Sequence, residues 1–458
     1  MRTHRRIFLE RGSASHRALW VLVVLLLLAA GGAWLLRGPG PLAFAGGHSA
    51  TPSDYRGADP SGVPASLAKA SLAARGEYLA RAADCVVCHT TRGGTAFAGG
   101  VPFVLPFGTL YSTNITPDEK TGIGAYSDAQ FLAALRHGVR RDGANLYPAM
   151  PFTSYTHMTD ADALAIKAYL FTLAPVVAPA PDNTLKFPFD QRWGMAAWTL
   201  LFNTDKRFEP NASQSDEWNR GAYLAEALAH CGECHTPRNI AFALDNRKKF
   251  GGALTAGWKA YNVSADPGTG VGAWSDADLV SYLATGHATG HGSAAGPMGE
   301  AVDESFSQMA PEDLKAIVVY LRSVPPVSSP DLPATLAAVA PGSHREGKGS
   351  DDPRGKSIFA GACASCHAWS GASNLSAFAT LTGARSVNDP QATNVAQIVI
   401  SGMQRTTPAG VLAMPSFGSS YSDSEIAAVS NFVTARFGGS KSSLSAKDVA
   451  RLRKQGGH

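Results

Sequence analysis

Apolar residues fall along the chain in two patterns, one continuous and one periodic. Residues 19–36 are almost wholly apolar and are bounded by Arg17 and Arg37. As a helix at ~1.5 Å per residue, this run matches a hydrocarbon core of about 30 Å. Further on the apolar positions become periodic. Residues 160–173, 311–324 and 423–437 carry them at helical spacing, and each stretch predicts an amphipathic helix. Start signals stand before them: Thr159, Ala310-Pro311 with proline in the first helical position, and Ser422 or Asp423. Each also holds an aromatic residue at the same place, namely Tyr169, Tyr320 and Phe432.

These three helices close three repeats whose openings are also alike. The openings are Arg75-Gly76-Glu77-Tyr78-Leu79, Arg220-Gly221-Ala222-Tyr223-Leu224 and Arg354-Gly355-Lys356. Glycine inside a helix costs ~1 kcal/mol relative to alanine. Its recurrence predicts a second helix crossing closely at that point, with the closing aromatic packed against it. The first two repeats also share a loop: Asn114-Ile115-Thr116 and residues 122–128 match Asn262-Val263-Ser264 and residues 270–276. Ser127 and Ser275 then cap helices over 129–137 and 277–286. The third repeat lacks this loop and is shorter.

Each opening leads to Cys-x-x-Cys-His: Cys85, Cys88, His89; Cys231, Cys234, His235; Cys363, Cys366, His367. The chain has six cysteines, and all of them fall in this pattern. It is the attachment sequence of c-type haem. Two thiols at this spacing reach the two vinyl groups of one porphyrin, and the adjacent histidine gives the iron its proximal nitrogen. Zinc fits less well, because it asks for four ligands and each motif offers two thiols. A redox-active dithiol leaves the repeated histidine unexplained. Three covalently bound haem c groups are therefore expected. The expected fold is all-α, with three tandem class I cytochrome c-like domains behind an N-terminal transmembrane helix. The boundaries are 1–37 for the basic segment and apolar helix, 38–66 for a linker, 67–181 for domain one and 182–210 for an interdomain segment. Domain two follows at 211–327, a linker at 328–350, domain three at 351–438 and a polar tail at 439–458.

An electron-carrying haem takes a second axial ligand, and methionine there raises the potential. Met150 (Tyr147-Pro148-Ala149-Met150-Pro151), Met298 (Gly296-Pro297-Met298) and Met414 (Met414-Pro415) precede the closing helices beside prolines. They are the expected iron ligands opposite His89, His235 and His367. Met309 is the rival to Met298, but it stands where Met158 stands in the first repeat, at the helix start, so the alignment favours Met298; Met158, Met195 and Met403 read as core fillers. Two axial protein ligands leave no open iron position, which disfavours oxygen or peroxide chemistry. Arg92 and Arg238 each lie three residues after a haem histidine, and each is a candidate partner for a propionate. Ser370 stands there in the third repeat.

Charge places the chain relative to a membrane. Arg2, Arg5, Arg6, Arg11 and Arg17 precede the apolar run against one acid, Glu10. Positive charge stays on the cytoplasmic side, so the bulk is expected in the periplasm, anchored to the inner membrane. A cleaved signal peptide is the competing reading, with Ala43-Phe44-Ala45 as its site; the apolar run is long for that, and the site lies far from its end. The net charge is +4, and haem propionates lower it, so nucleic acid is not an expected partner.

These motifs resemble those of the three-haem cytochrome c subunits of periplasmic membrane-bound dehydrogenases. The resemblance lies in residues 220–239, the two Asn-to-Asp loops, residues 147–152, 187–202 (FPFDQRWGMAAWTLLF) and 286–301. It implies a large dehydrogenase subunit as partner, of molybdenum, quinoprotein or flavoprotein type. It also implies electron delivery to ubiquinone or a terminal oxidase. The chain differs from several members of the quinoprotein and flavoprotein branches in lacking an apolar C-terminal segment. That difference, with Gly286-His287 and His291, points toward the molybdenum branch. Residues 187–202 are expected to pack domains one and two together, with contact to quinone and the partner as the alternative. A free-standing electron shuttle, or a peroxidase-like haem enzyme with one open iron, remains the alternative.

Overall fold

The computed structural model describes residues 11–43, 61–332, 352–407, 410–439 and 441–455. The Arg2–Glu10 charges, Phe44 and Ala45 of the candidate cleavage site, and most of both linkers lie outside the described residues. The chain is mostly helical. Short antiparallel hairpins stand in its loops: Pro102–Leu105 with Gly108–Tyr111, Ala253–Thr255 with Trp258–Ala260, His287–Ala288 with Gly292–Ser293, and Met403–Thr407 with Gly410–Met414.

In each repeat the opening helix crosses the closing helix at the glycine. Leu72–Ala82 packs on Asp160–Leu170, Asp216–Tyr223 on Pro311–Ser323, and Pro353–Ile358 on Asp423–Phe437. A Cβ on Gly76 would lie 1.8 Å from the Ala165 carbonyl oxygen and 3.0 Å from Tyr169 Cβ. The matching distances are 1.8 and 2.9 Å at Gly221 (Ala316, Tyr320) and 2.3 and 2.9 Å at Gly355 (Ala428, Phe432). Only glycine lets the backbones approach this closely. The helix starts follow the capping residues. Thr159 and Ser275 accept from Asp162 N and Asp278 N, Ser127 and Ser422 form capping boxes with Gln130 and Glu425, and Pro311 is the first residue of its helix.

The second and third opening helices run on as π turns, Leu224–Leu228 and Phe359–Cys363, the latter ending on its first motif cysteine. In the first two repeats the residue before the first cysteine turns the chain, Asp84 at φ 54° and His230 at φ 37°.

One apolar core is continuous through the first two repeats. A buried polar network crosses it. Arg220 and Asp313, neither of them solvent-exposed, form a forked ion pair (Nε–Oδ1 2.8 Å, Nη2–Oδ2 2.6 Å). Tyr78 of the first repeat donates to Asp313 of the second (2.5 Å), and Tyr223 of the second donates to Asp162 of the first (2.5 Å). The two tyrosines hold the same place in their repeats, as do the two aspartates, so the repeats exchange equivalent bonds about a local two-fold.

The third repeat has its own core around Phe359, Ile426 and Phe432. The segment expected as a polar tail contributes to it. Ala446–Gln455 is a helix that buries Val449 and Leu452 there, while Arg453 pairs with Asp423 (2.5 Å). Two apolar residues one turn apart in a basic stretch are too sparse a pattern to announce a helix. The second and third repeats meet through Lys259–Asp389 (3.4 Å), Tyr261–Asp389 (3.2 Å) and the buried Arg405, which reaches Asp303 (3.1 Å).

The apolar run lies within the helix Arg11–Arg37, and residues 18–37 of that helix are not buried in the protein. Its C-terminal end is held by the second repeat: Asn239 donates to the Leu36 carbonyl (2.8 Å) and Arg247 to that of Leu35 (2.9 Å). Residues 187–202 touch both of the first two repeats, with Trp198 and Phe189 reaching Ala241 and Phe242 of the second. Tyr147 donates to the Phe189 carbonyl (2.8 Å), Arg192 donates to that of Asn145 (2.7 Å), and Trp198 lies edge-on to Phe152. Yet no residue of the helix Gly194–Phe202 is buried.

Candidate haem sites

Each motif histidine ends a short helix: Cys85–His89, Gly232–His235 and Ala364–His367. In all three, Nδ1 lies 2.6 Å from a main-chain carbonyl oxygen, that of Thr113, Tyr261 or Ala379. A carbonyl only accepts, so Nδ1 carries the proton and the neutral ring keeps its lone pair on Nε2. Burial lowers the pKa of all three histidines and favours that neutral form. A metal-ligating imidazole is oriented in this way, by an acceptor on its other nitrogen.

The thiols are equally consistent with haem c. Burial pushes Cys85 and Cys231 up to about 12, Cys234 and Cys363 up to about 11, and Cys88 higher still. Thiols in such surroundings are protonated at neutral pH in the haem-free chain.

A cavity of about 1000 Å³ opens at the second motif. Cys231, Cys234 and His235 line it, and so do Met298, Trp274 and Leu279. The second motif's two thiols and imidazole, with the Met298 thioether, share one hollow and fit haem c, and Cys88 of the first motif lines the same hollow. Met298 sits in the first turn of the helix Gly296–Glu304, after Pro297. Met150 is half-buried against the core of its own repeat. Met414 ends a hairpin strand opposite Met403 and packs on the core of the third repeat. Met158 and Met309 are buried among core side chains.

Arg92 is exposed and lines the cavity. Arg238 is engaged locally: it pairs with Glu233 (2.6 Å) and donates to the Phe242 carbonyl (3.0 Å). Glu233, an interior residue of the second motif, also accepts from Thr153 and Ser154 of the first repeat (3.2 Å each). Arg405 enters from the third repeat and lines the same cavity. It donates to the carbonyls of Thr285 (3.0 Å) and Gly299 (3.3 Å), the latter next to Met298. Neither Glu233 nor Arg405 carries a motif signal. The carbonyls that orient the histidines carry none either, since any residue could supply them.

Comparison with known proteins agrees with this chemistry. Residues 73–174 match the family described as Cytochrome c, and residues 350–433 match Cytochrome C oxidase, cbb3-type, subunit III. The chain is 38% identical over 414 residues to the fructose dehydrogenase cytochrome subunit of Gluconobacter japonicus, covering 86% of this chain and 85% of that one. It is 40% identical over 403 residues to the gluconate 2-dehydrogenase cytochrome c subunit of Pantoea cypripedii, covering 84% and 90%. It is also 39% identical over 374 residues to a nicotinate dehydrogenase subunit of Pseudomonas putida, covering 81% of this chain and 31% of that longer one.

Proposed function

We infer the function of this chain from the family it belongs to, the cytochrome c subunits of dehydrogenase complexes. Membership implies covalently bound haem c and electron transfer from a partner dehydrogenase. Beyond that, the chain carries three haems and delivers electrons to ubiquinone or a terminal oxidase from the periplasmic face of the inner membrane. The observation that supports three sites is the histidine geometry, repeated at the same 2.6 Å at all three motifs.

When bound, haem c supplies a one-electron iron couple at each site. The chain's own residues do the rest. Cys85, Cys88, Cys231, Cys234, Cys363 and Cys366 fix the group covalently. His89, His235 and His367 would hold the iron through Nε2, and Met150, Met298 and Met414 would supply its second ligand. Arg92 would bind a propionate, and Arg238 acts through Glu233 by holding the second motif against the first repeat. The partner is a large dehydrogenase subunit of molybdenum, quinoprotein or flavoprotein type. Relatives named for fructose and for nicotinate dehydrogenases match about equally, at 38% and 39% identity, and so do not favour the molybdenum branch.

The test is gentle solubilisation of tagged protein from its native membrane. Three haems per chain are expected by pyridine haemochrome assay, together with a stoichiometric large subunit whose substrate reduces them. The cofactor of that subunit names the branch. A chain that emerges alone, and whose haems no substrate reduces, would be a free shuttle.

A further inference from the structure

We propose that residues 187–202 and the adjoining loop at Ile240–Phe242 form a second membrane contact. It is an apolar foot seated in the bilayer interface where the N-terminal helix leaves the lipid. The proposal rests on reading that helix as a span, and its test separates the two.

The helix Gly194–Phe202 is apolar nearly all round, with Thr199 its one polar side chain. A helix of that kind belongs inside a core or in lipid. None of its residues is buried in the protein, and Leu200 is 80% exposed. Its neighbours share the exposure: Phe187 79%, Trp193 75% and Ile240 87%. Single apolar residues scatter over every protein surface, but a contiguous patch marks an interaction site.

Hydrogen bonds fix where the patch lies. Trp198 Nε1 donates to the Ala241 carbonyl (2.7 Å), which ties the helix to the loop. Asn239, at the start of that loop, donates to the carbonyl of Leu36. Leu35 and Leu36 are the last apolar residues of the spanning run, so they mark the hydrocarbon boundary. Gly194–Phe202 also packs directly on the helix Arg11–Arg37. The patch is thereby held at the level where the lipid ends.

Its composition suits that level. Trp34 and Trp193 are exposed aromatics of the kind that gather at the headgroups. Arg37, Lys186 and Arg247 are exposed around it, where cations meet lipid phosphates while their stems lie on apolar surface. The occupant is therefore the bilayer itself, continuous with the span.

The experiment places a nitroxide on single cysteine variants of the full-length holoprotein, whose native thiols are consumed by haem. Leu200→Cys and Ile240→Cys report the foot, Leu27→Cys the span, and Leu375→Cys, 73% exposed on the third repeat, the water. Each is reconstituted in nanodiscs of phosphatidylcholine and phosphatidylglycerol. Accessibility to oxygen is compared with accessibility to a water-soluble nickel chelate. At positions 200 and 240 the oxygen-to-nickel ratio is expected several-fold above that at 375, approaching that at 27. Ratios equal to that at 375, with position 27 in lipid, overturn the foot and leave the span. Exclusion of both reagents only after a partner protein is added also overturns it, in favour of a protein interface. An aqueous or cleaved position 27 removes the span, and positions 200 and 240 then decide the foot by themselves.

Discussion

A histidine that donates through Nδ1 to a main-chain carbonyl has one nitrogen left to offer. That constraint turns His89, His235 and His367 from motif letters into oriented ligands. The methionines divide on the same kind of observation, by where the side chain sits. Met298 lines the cavity that holds Cys231, Cys234 and His235, whereas Met309, eleven residues on, is buried among core side chains. The pair gives a clean comparison. Met298→Ala is expected to lower the reduction potential of one haem and change its visible bands. Met309→Ala is expected to leave spectrum and potential alone and to cost about 2–5 kcal/mol of stability, as truncation of a buried side chain does. Spectroelectrochemical titration beside thermal melts of both variants checks this. A spectral change in Met309→Ala alone would reverse the assignment.

At the scale of elements, the three glycine crossings make the strongest demand on the sequence. Alanine at Gly221 puts a methyl carbon 1.8 Å from the Ala316 oxygen, and no side-chain rotation relieves a backbone clash. Gly221→Ala should therefore destabilise by more than the ~1–3 kcal/mol of ordinary overpacking. Gly361→Ala, on the π turn of the third repeat with nothing within 4 Å, should be neutral or slightly stabilising. Holoprotein yield and melting temperature of the two variants measure the contrast. The same elements show what was legible beforehand. Opening and closing helices announced themselves through 3.6-residue periodicity, caps and the repeated glycine. The hairpins did not, because strands of two to five residues are too short for an alternation to stand out. The helix Ala446–Gln455 was hidden by having two buried residues in a basic stretch. Residues 187–202 were visible as apolar, but apolarity alone does not say whether protein or lipid will cover a helix.

At the scale of the molecule, the described residues form two apolar cores rather than three. The first two repeats share one, sealed by Tyr78–Asp313, Tyr223–Asp162 and the Arg220–Asp313 pair. The third repeat has its own and meets the second through polar contacts around Asp389 and Arg405. Burial of each tyrosine, then its aspartate partner, raises the hydroxyl pKa, so both hydroxyls remain donors across the working range of pH. A shared apolar core unfolds as one cooperative unit, while a polar junction lets its neighbour open separately. Calorimetry of the holoprotein should accordingly resolve two transitions, the larger belonging to residues 61–332. Asp313→Ala removes the counter-charge from a fully buried guanidinium and one of the two tyrosine–aspartate bonds that join the repeats. Breaking such a pair costs about 3–5 kcal/mol, a fall of roughly 10 °C for a block of this size. The larger transition should move by that amount, with the smaller one in place. If both moved together, the contacts of Asp389 and Arg405 would be coupling the third repeat to the other two, and electron transfer along the chain would then depend on one rigid body.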